Sequence, residues 1–237
     1  MQLVELSTVA VISYLLGAIS FARLIPRLID PNADISDVSL PVQGSDERMP
    51  MLAMGANTAS IKYGPKVGCS IGLLDILKVF LPTLLVRLLY PDTSYYLVAA
   101  IAGFVGHCWP IYYRFRGGRG ISAFYGALFA IDPIGALVVA SAGMFIGMVL
   151  LKDLLIAYTG GVGLTIFWFA MTRGIEVHVL YAVILNILFV VAMIPEIKMV
   201  RDLRKKYGKG DMRRSMSTFP MGQSMLKLMD KLRIRRK

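Results

Sequence analysis

Two stretches of this chain, Pro133–Leu151 and Leu154–Met171, contain no charged residue and are separated only by Lys152 and Asp153. Each approaches the roughly 20 apolar residues that a helix needs to cross a bilayer core. Four further runs reach a similar length, three of them with charges: Leu3–Phe21 with Glu5, Val67–Leu89 with Asp75, Lys78 and Arg87, Ile175–Ile194 with Glu176, and Tyr95–Tyr113 with none. A 237-residue soluble domain has no core large enough to hide them all. Charged residues make up 17% of the chain, against roughly 25% in soluble domains. Disordered, collagen-like and disulfide-scaffold classes are excluded on the same grounds. The expected fold is an all-α integral membrane protein.

Ile121–Ile131 is apolar but only half the length of a span. Short helices that open on polar loops at membrane depth often line a binding cavity. Counting this piece gives seven transmembrane helices, one of them short or broken. The basic residues favour that count. With seven crossings, Arg23, Arg27, Arg48, Lys62, Lys66, Arg114, Arg116, Arg119, Lys152 and the C-terminal tail all fall on one side. The positive-inside rule makes that side cytoplasmic and puts the N-terminus outside. With six, the later loops and the tail no longer agree. Leu3–Phe21 lacks a positive n-region and is long for a signal sequence, so it is read as a retained span.

The net charge of +11 is concentrated at one end. Residues 196–237 hold 14 of the 26 Lys and Arg and 4 of the 15 acidic residues, a net of +10. Beside a transmembrane helix such a segment is expected to meet anionic lipid, and with no recognition fold it is not read as binding nucleic acid. Met225, Leu228, Met229 and Leu232 recur at helical spacing among the basic residues, which suggests an interfacial amphipathic helix. The expected division is a membrane domain over 1–200 and a basic cytoplasmic tail over 201–237. Residues 22–66, with Pro31, Asp34, Asp37, Pro41, Gly44, Pro50 and Gly55, read as a long loop. Such loops are often functional. Cys69 and Cys108 lie in apolar segments without metal-ligand spacing and read as buried free thiols.

The chemistry concentrates in Gly106-His107-Cys108-Trp109-Pro110 followed by Phe115-Arg116-Gly117-Gly118-Arg119-Gly120. Glycines at 117, 118 and 120 allow backbone N–H groups to converge as an anion-binding nest. The N-terminus of the short helix adds partial positive charge at the same place. A guanidinium such as that of Arg116 or Arg119 can hold two phosphate oxygens. The physical reading is a site for a phosphate or acyl phosphate. The bland alternative is a basic loop whose glycines only make a tight turn.

That compound motif resembles the acyl-phosphate:glycerol-3-phosphate acyltransferases, the PlsY family of bacterial inner-membrane enzymes. Their pattern is Gly-His-x-x-Pro, four residues, then Phe-x-Gly-Gly-Lys-Gly, with Arg119 here at the lysine position. Tyr14-Leu15-Leu16-Gly17-Ala18-Ile19 resembles the family's first helix. Asp75 and Lys78 resemble its Asp-x-x-Lys-Gly signature, with Val79 in place of the glycine. The resemblance covers most of residues 5–200. It implies acyl transfer from acyl phosphate to glycerol 3-phosphate, giving lysophosphatidate for phospholipid synthesis, with no metal, no nucleotide and no obligate protein partner. It also implies a multi-pass location in the bacterial inner membrane.

The chain departs from the family at both presumed acceptor ends. The first-loop motif Gly-Ser-x-Asn-x-Gly-Ala-Thr-Asn-x-x-Arg survives as Gly55-Ala56-Asn57-Thr58, its last pair reversed, with Ile61 at the arginine and Lys62 beside it. Ungapped alignment puts Met51 at the serine; a six-residue insertion puts Ser45 there and offers Arg48 as a replacement charge. The C-terminal motif His-Arg-x-Asn-Ile-x-Arg-Leu meets Ile194 at its histidine and Ile197 at its asparagine. The resemblance thus nominates Ser45, Arg119 and His107 as catalytic. Gly117, Gly118, Gly120, Arg116, Asn57, Thr58, Lys62, Arg48, Asp75 and Lys78 are nominated to bind substrate. Bland readings remain for several: His107 as a structural hydrogen-bonder, and Asp75 and Lys78, one helical turn apart, as a self-neutralising pair. Two functional readings stay open. The chain is an acyltransferase with glycerol 3-phosphate or an altered acceptor, or a catalytically degenerate paralogue that binds acyl or lipid phosphate without turnover.

Overall fold

The computed structural model describes residues 2–30, 32, 35, 37–42, 46–208, 212–217 and 220–231. They form two compact units. The first comprises residues 1–21 and 72–193, the second residues 22–71 and 194–237.

The apolar runs become helices with local reasons for their ends. The N-terminal run divides into α1, Gln2–Gly17, and α2, Phe21–Ile29, at an interruption over residues 18–20. α4, Pro65–Leu89, starts on a proline, whose missing N–H is no loss in a first helical turn. α5, Tyr95–Cys108, stops because Pro110 disfavours helical geometry at Trp109. The short apolar piece is a discrete helix, α6, Ile121–Ile131. Asp132 then opens α7, Pro133–Phe145, by accepting the Gly135 N–H at 2.8 Å. A π-turn over Ile146–Leu150 extends α7. Asp153 caps α8, Leu154–Arg173, through the amides of Leu155 and Ile156. The last long helix, α9, is Val177–Tyr207.

Among the described residues, five segments are long and apolar enough to cross a membrane: Gln2–Ile29, Pro65–Leu89, Pro133–Leu150, Leu154–Arg173 and Val177–Tyr207. Only about a third of each is buried by protein. Large side chains such as Leu81, Leu88, Phe167 and Ile187 point outward, as they do against lipid. The two shorter helices, α5 and α6, have 14 and 11 residues.

The core of the first unit gathers Phe104, Phe124, Leu128, Ile131, Phe169 and Leu185. α1 lies against α5 at very close range. A Cβ on Gly17 would stand 2.2 Å from the Gly103 carbonyl, and one on Gly106 2.2 Å from the Tyr14 carbonyl. Small residues let the two backbones meet, the usual means of packing helices where lipid supplies no hydrophobic drive. The Tyr14 hydroxyl completes the join, donating to the Trp109 carbonyl at 2.9 Å.

The second unit corrects the expectation of an unstructured 22–66 loop. Besides α2 it holds a hairpin, β1 Ser39–Pro41 and β2 Arg48–Pro50, paired Ser39↔Pro50, Leu40↔Met49 and Pro41↔Arg48. An eight-residue helix follows, α3, Ala56–Tyr63. Of the prolines and glycines that read as loop, Pro41 and Pro50 end the two strands and Gly55 precedes α3, while Pro31 and Gly44 lie outside the described residues. α9 likewise runs 13 residues beyond the expected Ile194. Its Lys and Arg residues are good helix formers, and Gly208, with φ of 77°, follows its last residue. The tail holds α10, Met212–Ser217, and α11, Pro220–Lys231, which packs on α3. Leu232 lies outside the described residues. Cys108 is buried as expected, but Cys69 is exposed.

Candidate active site

Pro110 ends α5 and starts a compact turn, in which the amides of Tyr113 and Phe115 both donate to its carbonyl. Arg114 and Phe115 take left-handed conformations, φ 52° and 60°, which non-glycine residues seldom adopt. The chain therefore doubles back, and Gly117 and Gly118 run directly against the end of α5. The Gly118 N–H donates to the His107 carbonyl at 3.1 Å. A Cβ on Gly117 would sit 2.2 Å from that same carbonyl oxygen, and one on Gly118 2.2 Å from His107 Nε2. Gly120 has φ of 88°, and a Cβ there would come within 2.4 Å of the Phe104 ring. The two halves of the sequence motif are thus one packed object.

This refines the expected nest. The Gly118 amide is committed to His107, so its place in the loop is steric rather than as an anion donor. The open donors lie one step on. The first bond within α6 runs from Phe124 N–H to Gly120 O at 2.7 Å, so the amides of Ile121, Ser122 and Ala123 lack partners within the helix. Arg119 stands immediately before them. Its side chain is partly buried, with Nη1 3.4 Å from the Ala192 carbonyl on α9. A fixed guanidinium beside a helix N-terminus presents an anion with both full and partial positive charge. Arg116, on the same loop, is exposed.

Behind the loop, Asp75 and Lys78 on α4 form an ion pair of 2.8 Å, with side chains 4% and 5% exposed. Lys78 Nζ also donates to the Ile19 carbonyl at 2.6 Å, where the N-terminal helix is interrupted. His107 Nδ1 lies 3.8 Å from Asp75 Oδ1, beyond hydrogen-bond range. Asp75 and Lys78 were expected to bind substrate, and His107 to be catalytic. All three side chains are buried, with Asp75 and Lys78 paired to each other and Lys78 also to the Ile19 carbonyl.

The nominated residues of the second unit form a different setting. Thr58, nominated to bind substrate, is buried and its hydroxyl donates to the Ala53 carbonyl at 2.6 Å. Arg48 is held in the hairpin, bonded to Ser39 Oγ and the Ser39 carbonyl, both at 2.9 Å. Lys62 makes a 2.8 Å ion pair with Asp37, and Asn57 is exposed at the start of α3. Ser45 lies outside the described residues. Lys206, near the end of α9, is bonded to Glu47 at 2.5 Å. Sequence reasoning missed that pair, since nothing local links residues 159 positions apart. It also missed the role of Gly103 and Gly106, although their spacing on one face of α5 was legible. Among the described residues no three of His, Cys, Asp and Glu gather as metal ligands.

Known proteins share this architecture. The glycerol-3-phosphate acyltransferase profile matches residues 7–203. A glycerol-3-phosphate acyltransferase of Pelagibacter ubique is 36% identical over 128 residues, 54% of this chain and 60% of its own length. One from Aquifex aeolicus is 29% identical over 175 residues, 73% of this chain and 83% of its own. Relatives such as that of Pelagibacter ubique are therefore spanned over less than two thirds of their length. A crystal structure described as PlsY (YgiH), an integral membrane glycerol 3-phosphate acyltransferase in its glycerol 3-phosphate form, superposes with a TM-score of 0.69. It is 24% identical, and the match covers 84% of this chain and 94% of that one. The lysophosphatidic acid form gives a TM-score of 0.66 at 23% identity. With five segments long enough to span among the described residues and a profile match over most of its length, this chain is a multi-pass membrane protein belonging to the glycerol-3-phosphate acyltransferase family.

Proposed function

We propose that the protein is a membrane acyltransferase that moves a fatty acyl group from acyl phosphate to glycerol 3-phosphate, or to a related small phosphorylated acceptor, for phospholipid synthesis. The observation that carries this reading is Arg119 held beside the open first turn of α6. An acyl phosphate is a mixed anhydride, already activated. In the transfer, the acceptor hydroxyl oxygen bonds to the acyl carbon, the acyl–oxygen–phosphorus link breaks, and phosphate leaves as the hydroxyl proton is released. Such a step asks the protein mainly to position two phosphates and to stabilise the departing charge. Arg119 and the α6 amides suit the donor phosphate. Lys62, with Arg48 and Ser45, is the proposed acceptor side. The reading extends to a bacterial inner-membrane setting with the N-terminus outside and the C-terminus cytoplasmic, and to contact of the basic tail with anionic lipid.

A second reading, binding without turnover, rests on Ile61, Ile194 and Ile197 standing where the resemblance expects polar ligands. One assay separates the two: transfer from palmitoyl phosphate to glycerol 3-phosphate by the purified protein, beside Arg119→Ala. Lysophosphatidate formed in an Arg119-dependent way supports the enzyme. Palmitoyl phosphate bound through Arg119, with no product from a panel of phosphorylated alcohols, supports the second reading.

A further inference from the structure

The Asp75–Lys78 pair and His107 are buried and charged or polar, yet they are closed off by internal partners. Lys78 Nζ joins three elements: Asp75 on its own helix at 2.8 Å, the Ile19 carbonyl at the end of the α1 segment at 2.6 Å, and the Phe21 ring with its centroid 5.9 Å away. Asp75 faces His107 at 3.8 Å, and His107 Nδ1 has no hydrogen-bond partner. The other edge of the same imidazole, Nε2, is the surface against which Gly118 lies. Its backbone carbonyl accepts the Gly118 amide.

From this continuous chain of contacts we infer that Asp75 and Lys78 are positioning residues for the glycine-arginine loop, acting through His107. The pair ties the interruption after α1 to α4 and sets the face on which His107 rests. His107 in turn sets the height of Gly118, and so the reach of Arg119 one residue later. The inference rests on the proposed donor-phosphate role of Arg119. A misplacement of about 1 Å at such a loop is enough to lower turnover by on the order of a hundredfold. A buried ion pair is a costly way merely to pack helices, since an apolar pair of similar volume is often as stable.

The test uses the full-length protein. Asp75→Asn combined with Lys78→Met removes both charges at once and leaves no unpaired ion, so the double variant is expected to fold. Two readouts are taken. In the palmitoyl phosphate assay, KM for the acyl donor should rise about tenfold while KM for glycerol 3-phosphate changes less than about twofold. In limited trypsin digestion, cleavage after the exposed Arg116 should accelerate about tenfold, with cleavage after Arg201 and Arg204 unchanged, a readout that needs no activity. Wild-type rates in both would overturn the inference. So would uniform acceleration at every site, which would mean global loosening. If the double variant fails to fold, Gly118→Ala with and without His107→Ala replaces it. Relief of the Gly118→Ala loop defect by removing the imidazole supports the contact chain, and simple additivity overturns it. A wild-type protein with no acyl transfer would defeat the enzymatic reading alone, and the trypsin comparison would still decide this one.

Discussion

The loop between α5 and α6 and the segment between α2 and α4 are both assigned to phosphate, and they are built from opposite materials. The first is backbone against backbone: Gly117, Gly118 and Gly120 lie in contacts that a single methyl group would break. The second is held largely by exposed side chains, Lys62 with Asp37, Arg48 with Ser39, and Lys206 with Glu47. Surface ion pairs contribute little stability and are screened by salt. A region fixed by sterics tolerates almost no substitution, whereas one fixed by exposed pairs can exchange its members. That contrast fits a glycine motif that matches the resemblance from Gly106 to Gly120, with Arg119 at its lysine position, beside a first-loop motif that departs from it.

The largest expected effect is loss of Arg119. Arg119→Ala should lower kcat/KM for acyl transfer by about a hundredfold or more, with thermal stability little changed. Substitution by alanine at two glycines then tests the contrast directly. Gly120→Ala, at φ of 88° and against Phe104, should destabilise the protein by about 1–3 kcal/mol and lower the melting temperature by several degrees. Gly55→Ala, in extended backbone with nothing within 4 Å of its Cβ position, should stay within about 0.5 kcal/mol of wild type. Equal effects at the two sites would dissolve the contrast.

Lys62→Met should raise KM for the acceptor about tenfold and leave that for the donor unchanged. Substrate kinetics at fixed acyl phosphate read this out, and an equal rise in both would remove Lys62 from the acceptor side. The smallest effect is expected at Glu47. Hydrogen bonds from Lys206 and Tyr207 hold its carboxyl below the ordinary value of 4.5. A carboxyl lowered by folding adds stability that is present above its unfolded value and is lost as pH falls through the lowered one. Glu47→Gln therefore removes a contribution that is present at pH 7, but one too small at this exposed site to move melting beyond error. The small protection of the hairpin from proteolysis that separates it from wild type should disappear well below pH 4.5.

The helices were readable because hydrophobic runs of membrane length have few alternatives, and Ile121–Ile131 emerges with the ends its pattern implies. The interior of residues 22–66 was not. Turn-forming prolines and glycines mark where a chain bends, but they do not say that a hairpin and a helix form between the bends. The outer limit of α9 was missed for a related reason: hydropathy records where the apolar face stops, and a helix of Lys and Arg continues past it. At the site, Arg119 and the three glycines were visible as a motif. Asp75, Lys78 and Thr58 were visible as polar residues in suggestive places, but their partners inside the protein were not: the Ile19 carbonyl that Lys78 meets lies 59 positions away, and the Ala53 carbonyl that Thr58 meets is one of many within its reach.

Class, approximate spans and the glycine-arginine motif follow from residue order, because apolar length, charge placement and glycine spacing act locally along the chain. The division of labour among polar residues does not. Whether Lys78 faces a substrate or the Ile19 carbonyl 59 positions away, and whether Gly118 offers its amide to an anion or to His107, depend on which backbones approach within a few ångströms. Those approaches are set by the packing of α1, α4 and α5, a property of the folded ensemble of contacts that no local window of sequence contains.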